Sequence, residues 1–259
     1  MARELNTINI ERQDILELAL KEAKEIVVNQ KLDKNKALLL ESKNWAGGIV
    51  GLIASRLVSE FNRPAFVLSL GETELKGSAR SIEGFHLVEA LATCSDLLTR
   101  HGGHSKAAGL SLLNINLDFF KNKMIALADS KLSDADIIPK LNIDAEVTEK
   151  ELNYNFYTKW LKNLEPFGLG NPRPVFVISG AEIFETKWCG KDKNHLRVGF
   201  LSNTKKYWGI GFSWLKDNEL NNGEKVDIVC TLDEDNWNGA KSLGIKLLEI
   251  VREGEVSHV

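Results

Sequence analysis

The chain has 259 residues, a formal net charge of −3 at pH 7, 43% hydrophobic and 27% charged residues. This is the balance of an ordinary globular protein; it excludes low-complexity and collagen-like chains and gives no global electrostatic case for a polyanionic partner. No apolar run approaches the ~18 residues of a membrane-spanning helix. The N-terminus does not have the pattern of a secretion signal, so no membrane contact is expected. Cys94, Cys189 and Cys230 stand far apart without a CxxC pair, which argues against a disulfide framework or structural zinc and fits a reducing, cytoplasmic setting. The length predicts two domains of usual size.

Taken in chain order, residues 5–31 show a mostly helical apolar period through Ile8, Ile15, Leu18, Ala19 and Ile26, with ERQ and KEAKE as a solvated face. They predict a long connector helix within a segment 1–35. An α/β alternation follows over 36–130. It comprises a strand at 37–41, a loop SKNWAGG, a helix at about 48–60, the strand PAFVLSL and the extended KGSARS. The run FHLVEALATCSDLLTR predicts a helix, AAGLSLL a short strand and LDFFKNKMIALADSKL a helix. Residues 131–164 read as a linker with a short strand and a helix, TEKELNYNFYTKWLKNLEP, stopped at Pro166; FGLGNPRP then forms a turn-rich joint. From 165 to 251, VFVISGAEIFE, HLRVGFLS, YWGIGFSW, KVDIVCTL and GIKLLEIV read as five strands of an OB-like barrel.

Three short motifs bear on chemistry. Gly47, Gly48 and Gly51 open a helix after a strand, but their spacing is not the G-x-G-x-x-G of dinucleotide binders. Either a helix N-terminus packs closely on a sheet there, or its amides face a phosphate. In KGSARS, Ser78 and Arg80 share one face of an extended segment. That pair can clamp a phosphate through a hydroxyl and a guanidinium; the alternative is an exposed strand with one solvated arginine. In RHGGHSKAAGL, His101 and His104 lack carboxylate or cysteine company for a metal. A turn whose amides and His104 imidazole hold a phosphate oxygen or base edge fits better, because Gly102 and Gly103 remove side-chain obstruction.

Charge is uneven along the acidic chain. Lys187, Lys191, Lys193, Arg197, Lys205, Lys206 and Lys216 face a single acid, Asp192, and are interleaved with Trp188, Phe200, Tyr207, Trp208, Phe212 and Trp214. Aromatic rings among cations on a barrel point to single-stranded nucleic acid, with rings stacking on bases and cations following the backbone. Alternation in YWGIGFSW also sends some of these rings into the barrel core. Lys191, Lys193, His195, Arg197 and Lys206 are therefore better candidates than any one tryptophan.

GGIVGLIASRLVSEFNRPAFVL, KGSARSIEGFHLVEAL, GGHSKAAG and LEPFGLGNPRPVF, in this order and spacing, resemble the C-terminal half of RecJ-type single-strand-specific DNA exonucleases of the DHH superfamily. GKDKNHLRVGF resembles the first barrel hairpin of that family and LNTINIERQ its linking helix. The resemblance covers nearly the whole chain. It implies a DHHA1 domain followed by an OB-like domain, and a 5′-to-3′ exonuclease of DNA repair and recombination using Mn²⁺ or Mg²⁺. By motif matching, Arg56, Ser78, Arg80, Gly102, Gly103 and His104 are implied phosphate contacts on the DHHA1 side.

Two departures accompany the resemblance. The family often has a histidine after the tryptophan of its first motif, where this chain has Ala46 after Trp45. No Asp-His-His triplet is present, and the close pairs Asp134/Asp136 and Asp233/Asp235 lie in expected inter-element regions without partner histidines. Two-metal hydrolysis needs several carboxylate and imidazole ligands. The expectation is a single-stranded DNA-binding half, inactive alone, that needs a DHH catalytic domain in cis or in trans to carry the cation. It would be a truncated form, a split-gene product or a standalone protein. The alternatives are a non-catalytic nucleic-acid-binding or scaffold protein, and a relative acting on short oligonucleotides or cyclic dinucleotides.

Overall fold

A computed structural model of the chain describes residues 2–168, 170–191, 193–214, 220–236 and 239–252. It divides into two compact units, Met1–Lys140 and Leu141–Val259. Among the described residues no helix is long and apolar enough to cross a membrane.

The first unit opens with helix α1, Ala2–Asn29. Its sheet comprises β1 (Leu38–Ser42), β2 (Ala65–Leu70), β3 (Glu74–Arg80), β4 (Leu98–Gly103) and β5 (Ala107–Leu113) in the order β1-β2-β3-β5-β4. Only β1 and β2 run parallel. Period-two alternation splits the sheet's apolar side chains between two cores. Leu38, Leu40, Ala65 and Val67 meet α1 and α2 (Val50–Phe61) on one face. Phe66, Leu68, Leu75, Ala79, Ala108, Leu110 and Leu112 meet α3 (Leu87–Ala92) and α4 (Leu117–Lys131) on the other.

Two expectations change here. The long helix over FHLVEALATCSDLLTR is only the six-residue α3, after which the chain turns and Leu98 already belongs to β4. Thr93 ends the helix, its hydroxyl donating to the Ala90 carbonyl at 2.7 Å, a local bond that competes with continued helix. The glycine run is not itself a turn. Gly102 and Gly103 end the edge strand β4, and the hairpin turn starts at His104, whose amide donates to the Ala107 carbonyl at 2.7 Å. Gly103 has φ +148°, and a Cβ there would lie 2.4 Å from the Ala107 carbonyl oxygen. Close approach of backbone therefore selects glycine at that position.

The second unit is a five-stranded barrel with a short added strand. Its strands are β6 (Ala145–Glu146), β7 (Phe176–Cys189), β8 (His195–Ser202), β9 (Lys205–Gly211), β10 (Lys225–Asp235) and β11 (Ser242–Arg252). Hydrogen bonding follows β10-β11-β9-β8-β7-β6, and β10 also pairs with β7, closing the ring. β9 and β11 run parallel, while β7–β8, β8–β9, β10–β11 and β10–β7 are antiparallel. The result is an OB-like barrel after an α/β domain. Ile183, Leu196, Val198, Phe200, Ile228 and Leu232 fill it.

The helix expected over 148–164 is shorter and irregular. Asn153 caps it by accepting from the Phe156 amide at 2.9 Å, and three turn types follow in succession to Leu164. Tyr157 and Leu161 from this stretch join the barrel core. Asp233 and Asp235 are likewise not in a connection but at the end of β10.

Candidate nucleic-acid interface

The α/β unit has a face that α2 covers only in part. Antiparallel neighbours directly opposite one another share a face, and on this side β3 presents Lys76, Ser78 and Arg80. Across the ladders, Ser78 pairs with Gly109 and Gly109 with Gly102. Arg80 pairs with Ala107. The Arg80 guanidinium is preset: one nitrogen donates to Ser78 Oγ and to the Ala79 carbonyl, both at 2.8 Å.

The first turn of α2 lies directly over this pair. A Cβ at Gly51 would stand 3.1 Å from Arg80 Nη2 and 3.2 Å from Ser78 Oγ. Of the three glycines in the motif, Gly51 is thus the one packed closely against its neighbours. Cβ atoms at Gly47 and Gly48 would meet nothing within 4 Å. The N-cap of α2, Ile49, makes no side-chain cap bond, so the helix start faces this niche without a competing side chain.

Other expected residues of this unit take different positions. Gly102, Gly103 and His104 are exposed at the end of β4 and the start of its hairpin turn. Arg56 is exposed on α2 five residues beyond Gly51. At 3.6 residues per turn that is about 140° around the helix from the glycine that faces Arg80. Ser78 and Arg80 are therefore brought together, with Gly102 two ladders away, while Arg56 projects elsewhere.

On the barrel, the outward face of β8 and β9 carries an aromatic and cationic ladder. Arg197 Cζ lies 4.3 Å from the Trp208 ring centroid and Lys206 Nζ lies 5.0 Å from that of Phe184. The two rings meet edge to face at 5.3 Å. Gly199 makes room for them, since a Cβ there would come within 2.6 Å of Phe184 and 3.1 Å of Trp208. A register shift between Ile183 and Glu185 accompanies the placement of Phe184. The remaining rings divide as barrel geometry requires. Phe200 is fully buried with Tyr207 stacked on it at 5.8 Å, Trp188 and Trp214 pack against the core, and Phe212 is exposed.

Lys191 and Lys193 lie exposed in the loop between β7 and β8, Lys193 with φ +49°. His195 is engaged in holding that loop. Its Nδ1 accepts from the Ser213 amide at 3.1 Å, its ring meets Phe212 at 5.2 Å, and Gly190 packs against it. Asp192 and Lys216 lie outside the described residues. Sequence reasoning missed Phe184, whose outward placement depends on the register shift.

Among the described residues, no three His, Cys, Asp or Glu side chains gather as ligands for a metal ion. The adjacent acids Asp233 and Glu234 at the end of β10 are engaged with cations and a hydroxyl. Asp233 pairs with Arg173 at 3.3 Å and with Lys246. Glu234 pairs with Lys241 at 3.0 Å and Lys162 at 3.5 Å and accepts from the Tyr154 hydroxyl. Hydrogen bonds from Tyr154 and Lys241 hold the Glu234 carboxyl down at about 2. Among the described residues this donor set does not fit a divalent-cation centre.

Comparison with known proteins agrees with this architecture. Residues 34–130 match the DHHA1 domain and residues 143–249 match the RecJ OB domain. The single-stranded-DNA-specific exonuclease RecJ of Bacillus subtilis (strain 168) is 32% identical over 93% of this chain, which covers 31% of that protein. The crystal structure of RecJ from Thermus thermophilus in complex with Mn²⁺ superposes with a TM-score of 0.76 at 27% identity, covering 98% of this chain and 37% of that one. The Mg²⁺ complex of the same protein gives 0.74 at 26% identity, covering 98% of this chain and 38% of that one. The chain thus spans about a third of the length of the RecJ proteins it matches. With its α/β unit matching DHHA1, its barrel matching the RecJ OB domain and nearly all of it superposing on a RecJ structure, the chain belongs to the RecJ family and corresponds to a C-terminal part of it.

Proposed function

We propose that this chain is the strand-gripping half of a RecJ-like 5′-to-3′ single-strand-specific DNA exonuclease. Its gripping domains span about 36–130 and 165–251, joined to the connector 1–35 and the segment 131–164. The observation that carries this reading is the ladder of Arg197, Trp208 and Lys206 on the outward face of β8 and β9, with Phe184 of β7 packed beside it. In barrels with this strand order that face, with the loop between the first two strands, is the oligonucleotide platform. Rings there can stack on bases of any sequence and cations can follow the backbone, an arrangement suited to an unpaired strand. In the α/β unit Arg80, held by Ser78, offers paired N–H donors to a phosphate oxygen.

Ser78, Arg80, Gly102, Gly103 and His104 are assigned to phosphate contact on the α/β unit, and Lys191, Lys193, Arg197 and Lys206 to the barrel. His195 acts through the loop it supports. Arg56 is assigned a peripheral electrostatic part. Hydrolysis belongs to a DHH catalytic domain, in cis or in trans, that holds Mn²⁺ or Mg²⁺; the Mn²⁺ and Mg²⁺ complexes of the Thermus protein support that cation choice. The setting that goes with this role is the cytoplasm.

The test is fluorescence anisotropy with a labelled oligothymidylate competed by unlabelled single strand or duplex. Preferential competition by the single strand supports the reading. Equal competition by duplex, or no binding at near-physiological salt, contradicts it. A scaffold or protein-binding role would give no oligonucleotide binding. A cyclic-dinucleotide or short-oligonucleotide role would give binding that barrel substitutions leave unchanged.

A further inference from the structure

On the same open face of the α/β sheet, one row beyond Ser78, three polar side chains share a ladder position. Lys76 on β3 pairs with Ser111 on β5, and Ser111 pairs with Arg100 on β4. They line a shallow depression of about 380 Å³ together with Gly102, Gly109 and backbone of the intervening row. Its floor is bare. A Cβ at Gly102 would meet nothing within 4 Å, and one at Gly109 only the Gly77 carbonyl oxygen at 3.9 Å.

A β-bulge puts Arg100 in this row. Leu98 pairs with Leu112, the next pair is Arg100 with Ser111, and Thr99 is the extra residue. Without the insertion Thr99 would oppose Ser111, and Arg100 would fall opposite Leu110, on the face that packs into the α3/α4 core. Bulges re-aim side chains in this way, often beside functional sites. Two residues along a strand advance it by about 6.6–6.8 Å, a step comparable with that between successive phosphates of an extended single strand. Beyond the row stands Glu74, 3.9 Å from Lys76 Nζ and bonded by the Thr99 hydroxyl at 2.6 Å. The run of cations therefore stops at Lys76 with a fixed acid.

We infer that Lys76, Ser111 and Arg100 form a second anion subsite, which holds the phosphate next to the one gripped by Ser78 and Arg80, with the sugar or base between them lying on the bare Gly102–Gly109 floor. The inference rests on the single-strand reading above and extends it to Arg100 and Ser111, which lie outside the motifs that carried the family resemblance, and to Lys76, which opens KGSARS. The ligand class is an extended single-stranded oligonucleotide of at least two phosphates.

The experiment measures affinity for a labelled oligothymidylate against salt for the full chain, Lys76→Ala/Arg100→Ala, Arg80→Ala and Gly109→Val. Each single-strand phosphate that the chain neutralises contributes about 0.7 to the slope of log affinity against log salt. The double variant empties a subsite for one phosphate and is expected to lose about 0.7 of that slope. Gly109→Val is expected to lose affinity while retaining the slope, since it fills the floor without removing charge. Both altered cations are exposed, and an unchanged thermal melt checks that the fold is kept. If Arg80→Ala lowers the slope while the double variant keeps the full slope, the second subsite is overturned and the strand-gripping reading stands. If the unaltered chain shows no binding, both fall together.

Discussion

The carboxylate of Glu22 on α1 accepts the indole N–H of Trp45 at 3.0 Å. Its other oxygen accepts from the Ser42 hydroxyl at 2.8 Å and the Asn44 side-chain amide at 3.2 Å. Trp45 is buried, and its own carbonyl accepts from Ser69 on β2 at 2.6 Å. One side chain of the connector helix therefore fixes the loop that leads into α2, and with it the first turn that lies over Ser78 and Arg80. Glu22→Gln would turn an amide N–H toward at least one of these donors. A buried donor left without an acceptor costs about 1–3 kcal/mol. The expected outcome in urea denaturation is a loss of that order, with weaker oligonucleotide binding accompanying it.

Gly51 and Arg80 give a second prediction. A side chain at position 51 would press on the guanidinium and on Ser78 Oγ. Gly51→Val should lower single-strand affinity nearly as far as Arg80→Ala does, although it removes no charge. Loss of one charged hydrogen-bonding group corresponds to roughly ten-fold or more in affinity. Anisotropy titrations of both variants check this, and an unchanged affinity for Gly51→Val would separate α2 from the niche.

The barrel ladder predicts a division of labour between ring and cations. Trp208→Ala should weaken binding by about 1–3 kcal/mol, the worth of one stacked base, with little change in salt dependence. Lys191→Glu/Lys193→Glu should do the reverse, lowering the salt slope by about 0.7 for each phosphate that is no longer neutralised. Salt titrations of the two variants distinguish them.

Glu234 should contribute to acid sensitivity, beside Asp136 and Glu151, whose carboxyls hydrogen bonds also hold below their ordinary range, and Asp233, where burial is outweighed by hydrogen bonds. Tyr154 and Lys241 hold its carboxyl at about 2 in the folded protein, below the ordinary 4.5. A depressed folded-state value gives stability that is present above about pH 4.5 and is lost as pH falls toward 2. Glu234→Gln should flatten this part of the stability–pH profile, as measured by denaturant midpoints between pH 5 and pH 2.

The barrel strands were legible because HLRVGFLS alternates apolar and polar positions and KVDIVCTL is a short β-branched run, buried from Val226 to Leu232, between polar loops. Strand β4 was not. LLTRHGG follows a helical run, carries a bulge at Thr99 and lies at a sheet edge with little apolar alternation, so no period marks it. The pairing of Ser78 with Arg80 could be read from their spacing. The partnership of Arg80 with Gly51 could not, because it depends on how α2 lies over β3. The same holds for Arg100, which a one-residue bulge moves beside Lys76, and for Phe184, whose outward position no repeat announces.

The central claim is that this chain holds single strands through phosphate-directed cations. Its most direct test is the salt dependence of oligothymidylate affinity for the unaltered chain. A steep linear fall of log affinity with log salt, made shallower by Arg80→Ala and by the Lys191/Lys193 charge reversal, is the predicted result. A flat dependence, or a slope that none of these substitutions alters, would contradict the account.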